Sequence, residues 1–112
     1  MTWEYIPSKG DIVWIDFNPQ SGREQSGRRP ALVLSSNAYN KKIGLVIVCP
    51  ITTKIKGYPY EVKIPSEFEV KGVVLSDQIK SFDWKMRNTE FICSVTDILV
   101  EDVMGKFNTI IE

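Results

Sequence analysis

The chain has 112 residues, 43% of them apolar, with 14 Lys and Arg balancing 14 Asp and Glu. That suits one compact domain over residues 1–112 and leaves nothing for a second. It contains no histidine, which removes the commonest neutral-pH proton carrier and the commonest zinc ligand. No apolar run approaches the roughly 18 residues that span a bilayer, and the N-terminal residues lack the charged-then-apolar form of a secretory signal. Cys49 and Cys93 sit in apolar runs, so a cytoplasmic protein with reduced, buried thiols is expected. Residues 1–56 carry 8 Lys/Arg and 4 Asp/Glu, a net of +4, and residues 57–112 carry 6 and 10, a net of −4. This asymmetry either builds one basic face or cancels when the halves interleave.

Residues 11–17, Asp-Ile-Val-Trp-Ile-Asp-Phe, read as a mostly buried strand rich in β-formers. Residues 18–29 form a loop punctuated by Pro19, Gly22 and Gly27. It is long for so small a chain, and such loops are usually mobile and often functional. Residues 30–36 read as a second strand with Pro30 at its first position, where proline is tolerated. Residues 37–44 are a turn or a short helical piece. Residues 45–49 are continuously apolar and read as a central third strand, and a basic loop follows over residues 52–57. Residues 60–64 alternate as a half-buried strand does. Residues 65–71 are a polar connection, and 72–77 and 90–95 complete the strands. Then the period changes. Leu99, Val100, Val103, Met104, Phe107, Ile110 and Ile111 fall on one helical stripe, with Thr96 as N-cap and Asp97 at the positive end. Gly105 within it either permits close packing or is simply tolerated. Six or seven short strands and a C-terminal helix predict a mainly β fold, a small barrel or strongly curled sheet.

Three stretches stand out as motifs. The first is Gly10-Asp11-Ile12-Val13-Trp14, followed by Asp16-Phe17-Asn18-Pro19. The second runs from Gly22-Arg23-Glu24-Gln25 through Gly27-Arg28-Arg29-Pro30 to Leu34. The third is Pro50-Ile51-Thr52 with Lys56-Gly57-Tyr58-Pro59. Gly72-Val73-Val74-Leu75 and Asp77-Gln78-Ile79 follow in order. Together they resemble the MazF/PemK/Kid toxins nearly end to end. The resemblance implies an SH3-like barrel with a C-terminal helix, working as a homodimer. It implies an endoribonuclease that cuts single-stranded RNA to 2′,3′-cyclic phosphate and 5′-hydroxyl ends, with no metal or cofactor. It also implies an antitoxin partner with an acidic, disordered tail. In that family the arginine before the proline and the threonine ending the third strand are catalytic; here they are Arg29 and Thr52. Many members carry serine where this chain has Arg23, a departure that adds a cation beside the implied RNA path.

Self-cleavage of RNA requires that the 2′-hydroxyl lose its proton, that charge on the phosphate oxygens be stabilised, and that the leaving 5′-oxygen be protonated. Arginine titrates above about 12 and is a poor base, but its fork of donors suits a phosphorane. Arg29 is therefore assigned to charge stabilisation, with Thr52 donating to a phosphate oxygen. Glu24 is the candidate base, because partial desolvation in a loop raises a carboxylate's proton affinity. Arg23, Gln25, Arg28, Lys54 and Lys56 are expected along the RNA path, and an acidic antitoxin tail would compete for the cations among them. Phe17 is either a base stacker or a core residue. Asp77 and Gln78 read base edges, or Asp77 ends a strand and caps a turn. Trp14 and Trp84 belong to the core or a dimer interface. Plainer readings stand beside these: Arg29 paired with Glu24, and Glu24, Lys54 and Lys56 as solvated loop charges. Three rival functions are a non-enzymatic, gyrase-binding module resembling the CcdB toxins, whose C-terminal Trp-Gly-Ile is replaced here by Ile110-Ile111-Glu112, a metal-dependent nuclease using Asp16, Glu24, Glu61 or Asp77, and a catalytically dead, antitoxin-binding relative.

Overall fold

A computed structural model describes residues 4–18 and 22–112; Pro19, named above as a loop breaker, lies outside them. The elements in chain order are β1 Asp11–Asp16, β2 Arg28–Val33, α1 Asn37–Ile43, β3 Leu45–Thr52, β4 Glu61–Lys63, β5 Val73–Leu75, β6 Lys80–Asp83, β7 Glu90–Ser94 and α2 Asp97–Ile111. Every strand pairing is antiparallel, in the order β4-β5-β3-β2-β1-β7 with β6 also on β3. The sheet curls like a barrel, and among the described residues no pairing joins β4 to β7 to close it.

Strand β3 organises the sheet. Residues 45–48 pair with β6, residues 51–52 with β5, and residues 48–50 with β2. It therefore runs three residues past the end expected at Cys49, straight through Pro50. Proline is tolerated there because it sits where β3 changes partner from β6 to β5. Strand β2 begins at Arg28, two residues before the expected start, and pairs with β1 from Asp16↔Arg28 onward. Strand β6 is absent from the sequence reading, since Lys80-Ser81-Phe82-Asp83 offers only one apolar residue to signal it.

The curl buries both faces of the central strands. One core gathers Ile12, Leu32, Cys49 and Val74 beneath Leu99, Val100 and Val103 of α2. The other gathers Val13, Ile15, Val33, Val46, Val48, Phe82 and Trp84. Full burial of such a side chain contributes about 1.5–3 kcal/mol. Phe17 belongs to this second core: it is 1% exposed and meets Phe82 edge-on with ring centroids 5.2 Å apart. It thus presents no face on which a base stacks, and the expectation that it contacts RNA is corrected. Trp84 is buried and donates from Nε1 to the Asn40 carbonyl at 2.8 Å, whereas Trp14 is 42% exposed.

The helices follow their sequence signals in part. Ser36 caps α1 by accepting from the Tyr39 N–H at 3.2 Å. Thr96 holds the N-cap position of α2 without a side-chain capping bond. The apolar stripe of α2 is buried only over its first half; Met104, Ile110 and Ile111 are exposed. A Cβ at Gly105 would meet nothing within 4 Å, so this glycine is tolerated and serves no close packing.

Candidate functional site

Alternation along β2 sends consecutive arginines to opposite faces. Arg28 turns to one side, where Nη1 donates to Asp16 Oδ1 (3.2 Å) and to the Asn88 carbonyl (2.7 Å), and Nη2 donates to Glu90 Oε1 (2.6 Å). The Asn88 amide also donates to Asp16 Oδ2 at 2.8 Å. That hydrogen bond, with Arg28 and Arg87 nearby, holds the Asp16 carboxyl below its ordinary range. Arg28 is thus engaged by two carboxylates and lines no part of the groove described next.

Arg29 turns to the other side, into a groove of about 1080 Å³. The β2–β3 register sets Ala31 opposite Pro50 and Leu32 opposite Cys49. Arg29 and Thr52 each lie two residues beyond the paired Ala31 and Pro50, where the ends of the two strands adjoin. Both side chains line the groove. Arg29 Nε donates to the Ser26 carbonyl at 2.9 Å, which fixes the guanidinium plane and leaves its outer nitrogens without a partner among the described residues. Partial burial lowers its pKa from the usual arginine value, and arginine still stays charged. Thr52 Oγ1 accepts from the Lys54 N–H at 3.1 Å, so its own proton is left to donate elsewhere.

Thr52 is fixed from behind by Gly72. Gly72 has φ +118°, and a Cβ there would fall 2.3 Å from the Thr52 carbonyl oxygen. Only glycine allows that approach, and it brings β5 onto the end of β3 through Thr52↔Val73.

The loop before β2 is tied down over its described part. Phe17 N–H donates to the Gly27 carbonyl (3.0 Å) and Gly27 N–H to Asn18 Oδ1 (3.1 Å). Gln25 N–H donates to Gln78 Oε1 at 3.1 Å, and Lys80 forms an ion pair with Glu24. Glu24 keeps 40% of its side chain exposed, so the desolvated setting expected of a base in this loop is not found. Arg23, also lining the groove, makes no hydrogen bond or ion pair among the described residues. Asp77 lines the groove with Oδ1 buried and unpaired. Burial, with Asp77 nearby, pushes the Cys49 thiol up to about 12, which makes it inert. Cys49 and Cys93 are both free.

Of the residues singled out in the sequence, Arg23, Glu24, Gln25, Arg29, Thr52, Lys54, Lys56, Asp77 and Gln78 all line this groove. Seven others complete the lining: Pro30, Ile51, Thr53, Tyr58, Glu61, Lys71 and Leu75. Pro30, Ile51, Tyr58 and Leu75 belong to the motifs quoted above, and Glu61 to the metal-nuclease alternative; Thr53 and Lys71 carry no local signal. Of the four acids of the metal-nuclease alternative, Asp16 lies outside the groove with Arg28, while Glu24, Glu61 and Asp77 line it, Glu24 paired with Lys80 and Glu61 accepting from three backbone N–H groups. Among the described residues no three of Asp, Glu and Cys gather closely enough to hold a metal.

Residues 8–111 match the family described as PemK-like, MazF-like toxin of type II toxin-antitoxin system. The chain is 41% identical over 111 residues to the endoribonuclease toxin MazF of Escherichia coli (strain K12), covering 99% of each. It is 34% identical over 103 residues to endoribonuclease EndoA of Bacillus subtilis (strain 168), covering 88% of each. The crystal structure of MazF from Deinococcus radiodurans matches with a TM-score of 0.93 at 45% identity, covering 96% of this chain and 98% of that one. A chain of a MazE–MazF complex from the same organism matches with a TM-score of 0.86 at 45% identity, covering 96% and 97%. By its sequence, its fold and the groove that Arg29 and Thr52 share, the chain belongs to the PemK-like, MazF-like toxins of type II toxin–antitoxin systems.

Proposed function

We propose that the protein is an endoribonuclease that cuts single-stranded RNA at a short sequence, without metal or cofactor, and arrests translation until an antitoxin occupies its groove. The observation that carries this is the placing of Arg29 and Thr52 on one face of a groove flanked by Arg23, Lys54, Lys56 and Lys71. The outer donors of Arg29 meet the charge that grows on the phosphate oxygens, and the Thr52 hydroxyl donates to the same group. Glu24, a carboxylate on the groove wall, takes the proton of the 2′-hydroxyl by virtue of its place there rather than of a desolvated setting, and Arg29 supplies one to the leaving 5′-oxygen. Products are a 2′,3′-cyclic phosphate and a 5′-hydroxyl. The family match, rather than the barrel itself, favours this reading over a gyrase-binding module. Among the described residues no helix is long and apolar enough to cross a membrane; messenger RNA as substrate places the work in the cytoplasm.

The test is primer extension on a long RNA incubated with purified protein in EDTA. Stops at one recurring short sequence, with 5′ ends open to phosphorylation by a kinase, are expected. Intact RNA, or cleavage that EDTA abolishes, would sink the proposal. The working unit is a two-fold homodimer, as the family resemblance implies and as the exposed Trp14 on β1 would suit. Sedimentation as a monomer at micromolar concentration would count against it. An acidic antitoxin tail is expected to compete with RNA for the unpaired cations of the groove.

Arg23 tests the division between binding and chemistry. It is exposed, lines the groove and has no partner among the described residues, so it serves as a counter-charge for one phosphate. Arg23→Ser should weaken binding of a non-cleavable RNA and reduce the slope of log affinity against log salt by about 0.7, the value for one phosphate contact on a single strand. The single-turnover rate at saturating protein should stay within about twofold. A collapse of that rate with binding unaltered would place Arg23 in the catalytic apparatus.

A further inference from the structure

We propose that Tyr58 is the base-stacking platform of the groove, holding one unpaired RNA base against its ring, and that Glu61 positions it; this rests on the ribonuclease reading above. Proteins that bind single-stranded RNA need an aromatic face on which an unstacked base lies. The sequence offers Phe17 for that role, and the structure withdraws it into the core along with Phe82 and Trp84. Trp14, Tyr39 and Phe91 are exposed but line no part of the groove. Among the groove-lining residues described, Tyr58 is the one aromatic, and it is 38% exposed.

The ring is held rather than free. Tyr60 meets it in a T-shaped contact, with centroids 5.5 Å apart and planes at 69°. The backbone beneath it is clamped by one carboxylate: Glu61 accepts from the N–H groups of Lys56 (2.9 Å), Gly57 (3.0 Å) and Tyr58 (3.3 Å). Three donors converging on a carboxylate make a charge-assisted staple, which places Tyr58 and Lys56 as one unit. A stacked base and the phosphate attached to it would thus be met by the same short loop, ring against base and ammonium against phosphate. Ile51 and Leu75 give the groove an apolar floor. A preorganised ring costs less to immobilise on binding than a mobile one.

The experiment uses the full-length protein and an RNA carrying its mapped cleavage site, with a 2′-deoxy nucleotide at the scissile position for binding and the all-ribose form for single-turnover cleavage. Stacking on one aromatic ring is worth about 5- to 150-fold in affinity. Tyr58→Ala should lose affinity in that range, and Tyr58→Phe should stay within about twofold. A series of RNAs, each with one abasic position, then locates the base. Wild type should lose affinity sharply at one position, and there Tyr58→Ala should add no further loss. Glu61→Gln, which keeps the shape but weakens the clamp, should lose affinity by a few-fold and show the same non-additivity at the same position. Losses that add at every position, or a Tyr58→Ala variant that binds as wild type does, overturn the stacking role while cleavage by wild type stands. Wild-type protein that neither binds nor cuts RNA overturns the ribonuclease reading itself.

Discussion

Arg29→Lys should lower the single-turnover cleavage rate by about 10²–10³-fold, the usual effect of removing a preorganised donor from a developing oxyanion. Lysine keeps the positive charge but loses the planar fork. Arg29 Nε is committed to the Ser26 carbonyl, so the guanidinium plane is fixed before RNA arrives, and its outer nitrogens point their hydrogens in set directions. A lysine ammonium has no such brace and must find the phosphate by rotating four bonds. Arg29→Ala should lose as much or more, while both variants bind the uncleavable RNA within a few-fold of wild type. Rates at saturating protein, measured beside a binding titration, separate the two effects. An Arg29→Lys enzyme cleaving at near wild-type rate would remove the bidentate contact from the mechanism.

Gly72→Ala should damage both stability and activity. At φ +118° a side chain is strained, at a cost of order 1–3 kcal/mol, before any clash is counted. The added Cβ would also stand 2.3 Å from the Thr52 oxygen and 2.9 Å from its carbonyl carbon, and backbone atoms on both sides leave no soft partner to move. Melting should fall by roughly 10 °C. At temperatures where the variant remains folded, cleavage should be down about 10²-fold, because a displacement of about 1 Å at a catalytic group costs that much. Gly105→Ala is the control. It sits in α2 with nothing within 4 Å of a Cβ and should raise stability by up to about 1 kcal/mol. Normal cleavage by Gly72→Ala would show that Thr52 does not need its present position.

Much of this architecture is legible in the residues, and the gaps have physical causes. Strands β1, β2 and β3 announce themselves as apolar runs because the curl buries both of their faces. Strand β6 does not, since four residues with a lone Phe82 give no period to detect. The Arg28–Arg29 pair shows where local reading stops. Side by side in sequence, the two look equivalent; a strand beginning at Arg28 sends one to Asp16 and Glu90 and the other to the groove. Phe17 is ambiguous for the same reason, as its face depends on how far β1's alternation carries past Asp16. The surroundings of Glu24 are not legible locally, because its partner Lys80 lies 56 positions away. The stripe on α2 was visible, but which half of it meets the sheet is decided by where the helix docks.

Strand β3 needs partners drawn from before and after it, and that dependence sets an order of assembly. Arg29 and Thr52 are made early, yet the parts that hold them come late. Gly72 and β5 back Thr52, Gln78 and Lys80 tie the loop that carries Glu24, and α2 closes one core last of all. Joins across such sequence distances form slowly, because the chain between them must be ordered first. Since a ribosome adds residues in order, the ties from Gln78 and Lys80 to the loop cannot form on the growing chain until both have cleared the exit tunnel. Through much of its synthesis the chain therefore carries Arg29 and Thr52 without the contacts that set them in place.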